Sequence, residues 1–438
     1  MIRHQRYTLH TRSVRKPTRM PTALILSQGD EVVTGQVVDT NAAWLAVALT
    51  DLGFDVVGHE ASRDVRSEIA DTVARAARRA DVVVSTGGLG PTEDDHTAAA
   101  IAEAFARPLV HDPVAMTAIE EMYARFGRRM PEINRKQALL PAGCERLDND
   151  WGTAPGFAVD EHGAVLFFLP GVPREMKAMW THRVAPRLAE RFAIRPGRLV
   201  TFRCTGVGES DLQERLGEID EPGVIVAFRT ALPENHVKLR FAAEVSEDRA
   251  RDLSAQVLER LGTPVFAVEG FDAPGGSLAE VVGRALVERG ETLAVAESCT
   301  GGRVCAAVTA IPGSSAWFLE GAVTYANAAK VRALGVSEGD LYVHGAVSEP
   351  VARAMAEGVR RESGATWGLS VTGVAGPGGG TAEKPVGLVH IAAAGPRETL
   401  HRTLRLGGDR NRIQELAAAA VLDLLRREIV SIPSLSST

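Results

Sequence analysis

Four polar or glycine-rich clusters in the last third of the chain hold the residue types that acyl chemistry uses. They are Glu297-Ser298-Cys299-Thr300-Gly301-Gly302, Gly313-Ser314-Ser315, Thr324-Tyr325 through Lys330, and Thr372-Gly373 through Gly376, Gly378 and Gly380. Serine hydroxyls and a thiol are possible nucleophiles, and a lysine is a possible base if its charge is suppressed. Glycine turns expose backbone N–H groups to an oxyanion or a phosphate. Simpler roles exist for each residue. Ser315 after Gly313 could cap a helix, Lys330 could be a solvated charge, Tyr325 could pack with its hydroxyl wet, and Ser298 could bind substrate or cap the next helix. Cys299 has no sequence-adjacent histidine to activate it and reads as structural.

A second set lies near the start. Gly87, Gly88, Gly90 and Thr92 form a glycine turn after an apolar run, and Asp30, Asp64, Asp94 and Asp95 are spread around it. Such glycines let N–H groups approach a phosphate, and paired carboxylates can hold a divalent cation that neutralises it. Acids before a helix are also favoured by its dipole alone. Gly206-Val207-Gly208-Glu209-Ser210 reads as a strand–helix corner.

These clusters need elements to carry them. From Thr22 the chain alternates apolar runs with helical periodicity in a β-α-β-α-β order, which implies a parallel sheet covered by helices with ligands at the strand C-termini. A change of pattern after Pro170-Gly171-Val172-Pro173 suggests a small α+β middle domain, and the Gly/Pro segment from Gly270 to Gly276 suggests a boundary. A third α/β stretch follows, closed by a helix at about Asn411 to Ile429. The expected division is a basic tail at 1–20, a nucleotide domain at 21–175, a middle domain at 176–270 and a catalytic domain at 275–432. Met20 is a possible alternative start, and the Ser/Pro segment after the closing helix reads as disordered.

Composition limits the function classes. At 438 residues the chain exceeds one hydrophobic core, and 45% hydrophobic with 24% charged residues describes a folded globular protein. A net charge of -6, with no long basic run beyond the first 20 residues, gives nucleic-acid binding little electrostatic support. The cysteines Cys144, Cys204, Cys299 and Cys305 form no CxxC pair, which argues against zinc and a disulfide framework and fits a reducing cytoplasm. No apolar stretch reaches membrane-spanning length and no signal peptide is evident.

The segments Ala296 to Gly302, Pro312 to Phe318, Tyr325 to Lys330, His344 to Pro350, Thr372 to Gly380, Glu383 to Gly387 and Gly408 to Arg410 resemble, in order and spacing, the C-terminal domain of the CinA family. That domain looks like the nicotinamide mononucleotide deamidases, which also occur as free-standing proteins. The resemblance implies hydrolysis of nicotinamide mononucleotide to nicotinate mononucleotide and ammonia, without a cofactor. It implies Ser315 as nucleophile, Lys330 as its base, Tyr325 and Thr372 in proton transfer or orientation, and Arg410 near the substrate or the lysine. Ser298, Gly301, Gly313, Ser314, Gly376 and Gly378 are then candidates to contact substrate. A lysine base must be neutral, so its pKa must fall by burial or by a neighbouring positive charge, which Arg410 could supply. Relatives often carry Ser and Glu where this chain has Ala326 and Ala328.

In the first domain Gly29-Asp30-Glu31, Asp39-Thr40-Asn41, Asp64, Gly87 to Thr97, Asn134 to Ala138, Gly152 to Gly156 and Leu169 to Pro173 resemble the molybdopterin-binding fold, a three-layer α/β/α domain. The resemblance implies a nucleotide or pterin-phosphate site at Gly87, Gly88, Gly90, Thr92, Asp64 and Asp95. It also implies an ADP-ribose pyrophosphatase dependent on magnesium, cobalt or a similar metal, with Asp30, Asp94 and Asp95 as candidate ligands. A homodimer acting on small nucleotides is the implied assembly, and a non-catalytic, competence-linked binding adaptor is the alternative.

Overall fold

The computed structural model describes residues 20–194, 197–271 and 273–430, so the expected basic tail, apart from Met20, and the Ser/Pro segment lie outside the described residues. The chain forms two compact units, Met1–Gly197 and Arg198–Thr438.

The first unit is built on a six-stranded sheet in the order Asp55–Ser62, Thr22–Gln28, Val82–Thr86, Ala164–Leu169, Gly156–Glu161, Glu145–Leu147. The first four strands are parallel and the last two are antiparallel additions. Strand alternation explains the three layers: Ala23, Ile25, Val82 and Val84 enter one core, and Leu24, Leu26 and Val83 enter the core on the other face. Both faces are therefore apolar and need helices. Thr40–Leu52, capped by Asp39 and ended at Gly53, covers one, and Arg66–Ala76 with Thr97–Ala104 covers the other.

The boundary expected at 175/176 lies further on. Met176, Met179, Trp180, Val184 and Leu188, on the helical run from Pro173 to Phe192, are buried in the core beneath Ala23 and Ile25, so this run belongs to the first unit. Its apolar face was visible in the sequence, but which sheet would receive it was not.

The second unit carries two sheets. Strands Arg198–Thr205, Val224–Ala231, Glu234–Phe241 and Val265–Gly270 pair antiparallel, and the helices Glu209–Leu216 and Glu247–Leu261 cover one face. Part of the expected boundary loop is itself paired, because Ala273–Pro274 adds to Val265–Gly270. Gly206 has a φ of 71° and turns the chain from strand to helix.

The last sheet runs Phe318–Val323, Leu293–Glu297, Trp367–Gly373, Leu388–Ala394, Thr399–Arg405, the first three parallel and the others antiparallel. Leu293, Val295, Leu369 and Val371 face a core shared with Leu278–Arg289 and the closing helix Arg410–Ile429. Ala294 and Ala296 face the helices Asn327–Leu334 and Glu349–Ser363. A Cβ on Gly368 would stand 2.2 Å from the Ala356 carbonyl oxygen, so only glycine lets the helix Glu349–Ser363 lie this close to its strand. The closing helix also reaches the middle sheet: buried Arg426 binds Asp423 at 2.8 Å and donates to the Thr263 carbonyl at 2.8 Å. Among the described residues no helix is long and apolar enough to cross a membrane.

On the two antiparallel strands His390 and His401 stack with centroids 5.3 Å apart and a 3.1 Å Nδ1···Nε2 contact, and His401 lies 3.4 Å from Glu349. Burial, and for His390 the neighbouring His401, holds both imidazoles below their ordinary 6.5. Below that pH the unfolded chain binds more protons than the folded one, so this stabilisation is full above pH 6.5 and is lost as pH falls through the depressed folded values. The urea midpoint of the second unit is expected to drop between about pH 7.5 and about pH 5, and His390→Gln with His401→Gln to flatten that slope. An unchanged slope in the double variant would show that other groups govern the acid limb.

Candidate functional site

Three parallel strands end side by side in the last sheet, and the residues that follow them share one edge. Ser298 directly follows Leu293–Glu297, and its N–H donates to the Val371 carbonyl at 3.0 Å, extending the ladder by one residue. The chain then turns through Gly301 and Gly302, at φ 63° and 98°, into the helix Arg303–Thr309. Beside it, Thr324 and Tyr325 follow Phe318–Val323 and lead into the helix Asn327–Leu334, which carries Lys330. Thr372 comes from the end of Trp367–Gly373, and Arg410 opens the closing helix behind the capping Asp409. Ser298, Cys299, Tyr325, Lys330, Thr372 and Arg410, with the wall Ala346-Val347, line one open pocket.

Lys330 is the centre of this arrangement. Its side chain is 1% exposed, and its Nζ lies 2.7 Å from the Thr324 carbonyl, 3.3 Å from the Tyr325 carbonyl and 3.2 Å from Ser298 Oγ. All three partners are neutral oxygens, and burial pushes the amine below its ordinary 10.5. A neutral amine has two N–H donors and one lone pair. When charged, the amine donates to Ser298 Oγ; when neutral, the two carbonyls, which can only accept, take both donors and leave the lone pair for the Ser298 hydroxyl. Of the two causes the sequence left open, burial depresses the pKa and Arg410 does not. Arg410 donates instead to the Gly376 carbonyl at 2.7 Å and to the Tyr325 hydroxyl at 3.0 Å.

The serine beside the lysine is therefore Ser298 and not Ser315. Ser315 sits in the short turn Ser314–Ala316 ahead of Phe318–Val323, where Phe318 pairs with Leu293 at the N-terminal edge of the sheet. Six strand residues separate it from Tyr325's end, roughly 20 Å at ~3.3 Å per residue. It is exposed and does not line the pocket. Gly313 and Ser314 lie at the same far edge, so their expected substrate contacts fall with it. Gly378 is on an exposed loop outside the pocket lining, and Gly376 acts through its carbonyl on Arg410.

The other pocket residues have defined tasks. Thr372, 1% exposed, donates to the Ala346 carbonyl at 2.8 Å and so holds the wall loop. Tyr325 is 61% exposed, with its hydroxyl on Arg410. Burial pushes the Cys299 thiol up to about 12, which leaves it protonated and a poor nucleophile near neutral pH. Ala326 occupies a helix N-cap without a side-chain hydrogen bond, the contact that a serine there would supply. The wall residues Ala346 and Val347 carried no chemical signal in the sequence.

In the first unit Gly88, Gly90, Asp95, Lys136 and Gln137 line a smaller pocket at the end of Val82–Thr86. Gly87 and Gly88 have φ of 110° and 63°, and Thr97 Oγ1 donates to the Gly87 carbonyl at 2.9 Å. The candidate metal ligands do not fit a preformed centre. Asp95 turns inward to accept from Thr92 N–H at 2.8 Å and from its hydroxyl, while the Asp30 N–H donates to Asp64 at 3.0 Å. Exposed Asp94 is held below the usual carboxylate range chiefly by a Thr92 hydrogen bond, and Asp64 is raised, chiefly by burial and further by nearby acids. Among the described residues no three His, Cys, Asp or Glu side chains group to hold a metal.

Comparison with known proteins agrees with both halves of this architecture. Residues 275–429 match the family model described as the CinA C-terminal domain, and residues 24–190 match the probable molybdopterin binding domain. A CinA-like protein of Anaeromyxobacter dehalogenans is 43% identical over 408 residues, covering 92% of this chain and 98% of that protein. A CinA-like protein of Geobacter metallireducens is 44% identical over 418 residues, covering 94% of this chain and all of that protein (100%). The crystal structure of the competence/damage inducible protein CihA from Agrobacterium tumefaciens is 41% identical and covers 35% of this chain and 96% of its own, with a TM-score of 0.33. With two relatives above 40% identity over nearly its whole length, the chain belongs to the CinA family.

Proposed function

We propose that the C-terminal module hydrolyses nicotinamide mononucleotide to nicotinate mononucleotide and ammonia, with Ser298 as nucleophile and Lys330 as its base. The observation that carries the reading is a buried lysine amine, pushed toward its neutral form, 3.2 Å from a serine hydroxyl in an open pocket. Ser298 Oγ attacks the carboxamide carbon and its proton passes to Lys330. Collapse of the tetrahedral species breaks the C–N bond, and Lys330 returns the proton so that ammonia leaves and an acyl ester remains on Ser298. Water then attacks the ester through the same lysine, giving the nicotinate product and free Ser298. Arg410, whose described partners are neutral oxygens, offers its charge to the anionic phosphate and orients Tyr325 at the rim. Besides substrate and water, these steps draw on Ser298, Lys330 and Arg410.

A second reading concerns the first unit, whose Gly88 and Gly90 turn with Lys136 suits a phosphate-bearing nucleotide or pterin. Metal-dependent ADP-ribose hydrolysis there would need a cation held in part by the ligand, because the carboxylates do not converge. A cytoplasmic homodimer completes the proposal. A non-catalytic adaptor is the alternative, marked by nucleotide binding in calorimetry without turnover.

Ammonia release from nicotinamide mononucleotide in the presence of a chelator tests the assignment. Ser298→Ala and Lys330→Ala are each expected to lose on the order of 10² to 10⁴ in kcat/KM. Ser315→Ala, at the opposite edge, is expected to stay within about twofold of wild type. Full activity in folded Ser298→Ala, or no ammonia from folded wild type, would overturn the reading.

Because Lys330 works only when neutral, kcat/KM is expected to rise with pH through one ionisation set below 10.5. Lys330→Arg, whose guanidinium stays charged, should not regain the activity at any pH. A pH-independent profile would remove Lys330 from the role of base.

A further inference from the structure

We infer that Glu297 is the positioning residue for the nucleophile, clamping the turn that presents Ser298 from the face of the sheet opposite Lys330. The inference rests on Ser298 being the attacking group.

Glu297 is the last residue of its strand and is 0% exposed. One carboxylate oxygen accepts the Gly302 N–H at 3.0 Å and the other accepts the Cys305 N–H at 2.9 Å. Burial pushes the Cys305 thiol pKa up, and the same carboxylate adds to that shift. Burying a carboxylate among neutral donors is costly, and a helix start needs only an exposed serine or aspartate at its cap. Here the acid reaches from the strand to residues five and eight positions on, and so closes Ser298 to Gly302 into a fixed loop.

Strand alternation places the two neighbours on opposite faces. Leu293 and Val295, with the parity of Glu297, face the core that includes Val304 and Val308 of the following helix. Ala294 and Ala296, with the parity of Ser298, face the helix that carries Lys330. The Glu297 carboxylate therefore lies outside the pocket lining and away from the lysine, and burial, opposed by Cys299, governs the Lys330 amine. Gln414 steadies the same loop from the closing helix, donating to the Cys299 carbonyl at 2.6 Å. With the strand ladder holding one end and Glu297 the other, Ser298 Oγ has little freedom to leave Lys330.

The test uses the full chain with Glu297→Gln and Glu297→Ala. Glutamine keeps the volume, but its NH₂ meets one of the two N–H donors, so one of the two bonds is lost. A shift of about 1 Å in a reacting atom costs on the order of 100-fold, so Glu297→Ala is expected to lose about that in kcat and Glu297→Gln about tenfold. KM for nicotinamide mononucleotide and the Lys330-dependent limb of the pH profile are expected to stay in place in both. Labelling of Ser298 by a fluorophosphonate, located by peptide mass spectrometry, is expected to slow in parallel, with circular dichroism checking the fold. Should the alanine variant not fold, the glutamine variant carries the comparison. Equal labelling and kcat in wild type and folded Glu297→Gln overturns the inference alone, as does a moved pH limb, which makes the effect electrostatic. Wild type that releases no ammonia but is labelled at Ser298 sinks the substrate reading and leaves this one to the labelling rates. Wild type that is not labelled removes the premise and the inference with it.

Discussion

The C-terminal module is organised around a lysine amine that the protein surrounds with oxygens but gives no negative charge. A buried ammonium would demand a carboxylate, and Lys330 has instead the Thr324 and Tyr325 carbonyls and Ser298 Oγ. That choice moves the amine toward neutrality, the state in which it can accept a proton. It also constrains the fold. Strands Leu293–Glu297 and Phe318–Val323 must run parallel and end together, because the serine follows one and the carbonyls follow the other. Small residues, Ala294 and Ala296, must line the face under the lysine helix.

The fold class was legible because periodicity and strand alternation are local properties. Ala23 to Leu26 are apolar at every position, which already demands helices on both faces, and the two cores that divide these residues supply them. The helical run from Pro173 to Phe192 shows where such signals stop. Its apolar face says that it packs, and only the three-dimensional path shows that it packs under the first sheet.

At the candidate site, residue types were legible and the partnership was not. Lys330, Tyr325, Thr372, Arg410 and Ser298 stood out in the sequence, and all five line one pocket. Ser315 stood out as well, after Gly313 and as the nucleophile that the family resemblance implied. The discriminating signal was topological: Ser298 follows its strand, whereas Ser315 precedes the next, and in a parallel sheet those positions lie at opposite edges. Glu297 stood in the first cluster but was assigned no role, for another reason. A buried acid at a strand end looks unremarkable until its oxygens are seen against Gly302 and Cys305.

The buried Arg426 on the closing helix bears on how this architecture can be taken apart. It reaches out of the C-terminal module to the Thr263 carbonyl, and Phe266 and Ala267 of the middle sheet enter the same core as Val295 and Leu369. A fragment cut at the Gly275 boundary would present a guanidinium and an apolar face where this chain has neighbours. Fusion is thus written into the closing helix itself, and a self-sufficient version of the module would need that helix surface resurfaced, not merely a shorter linker.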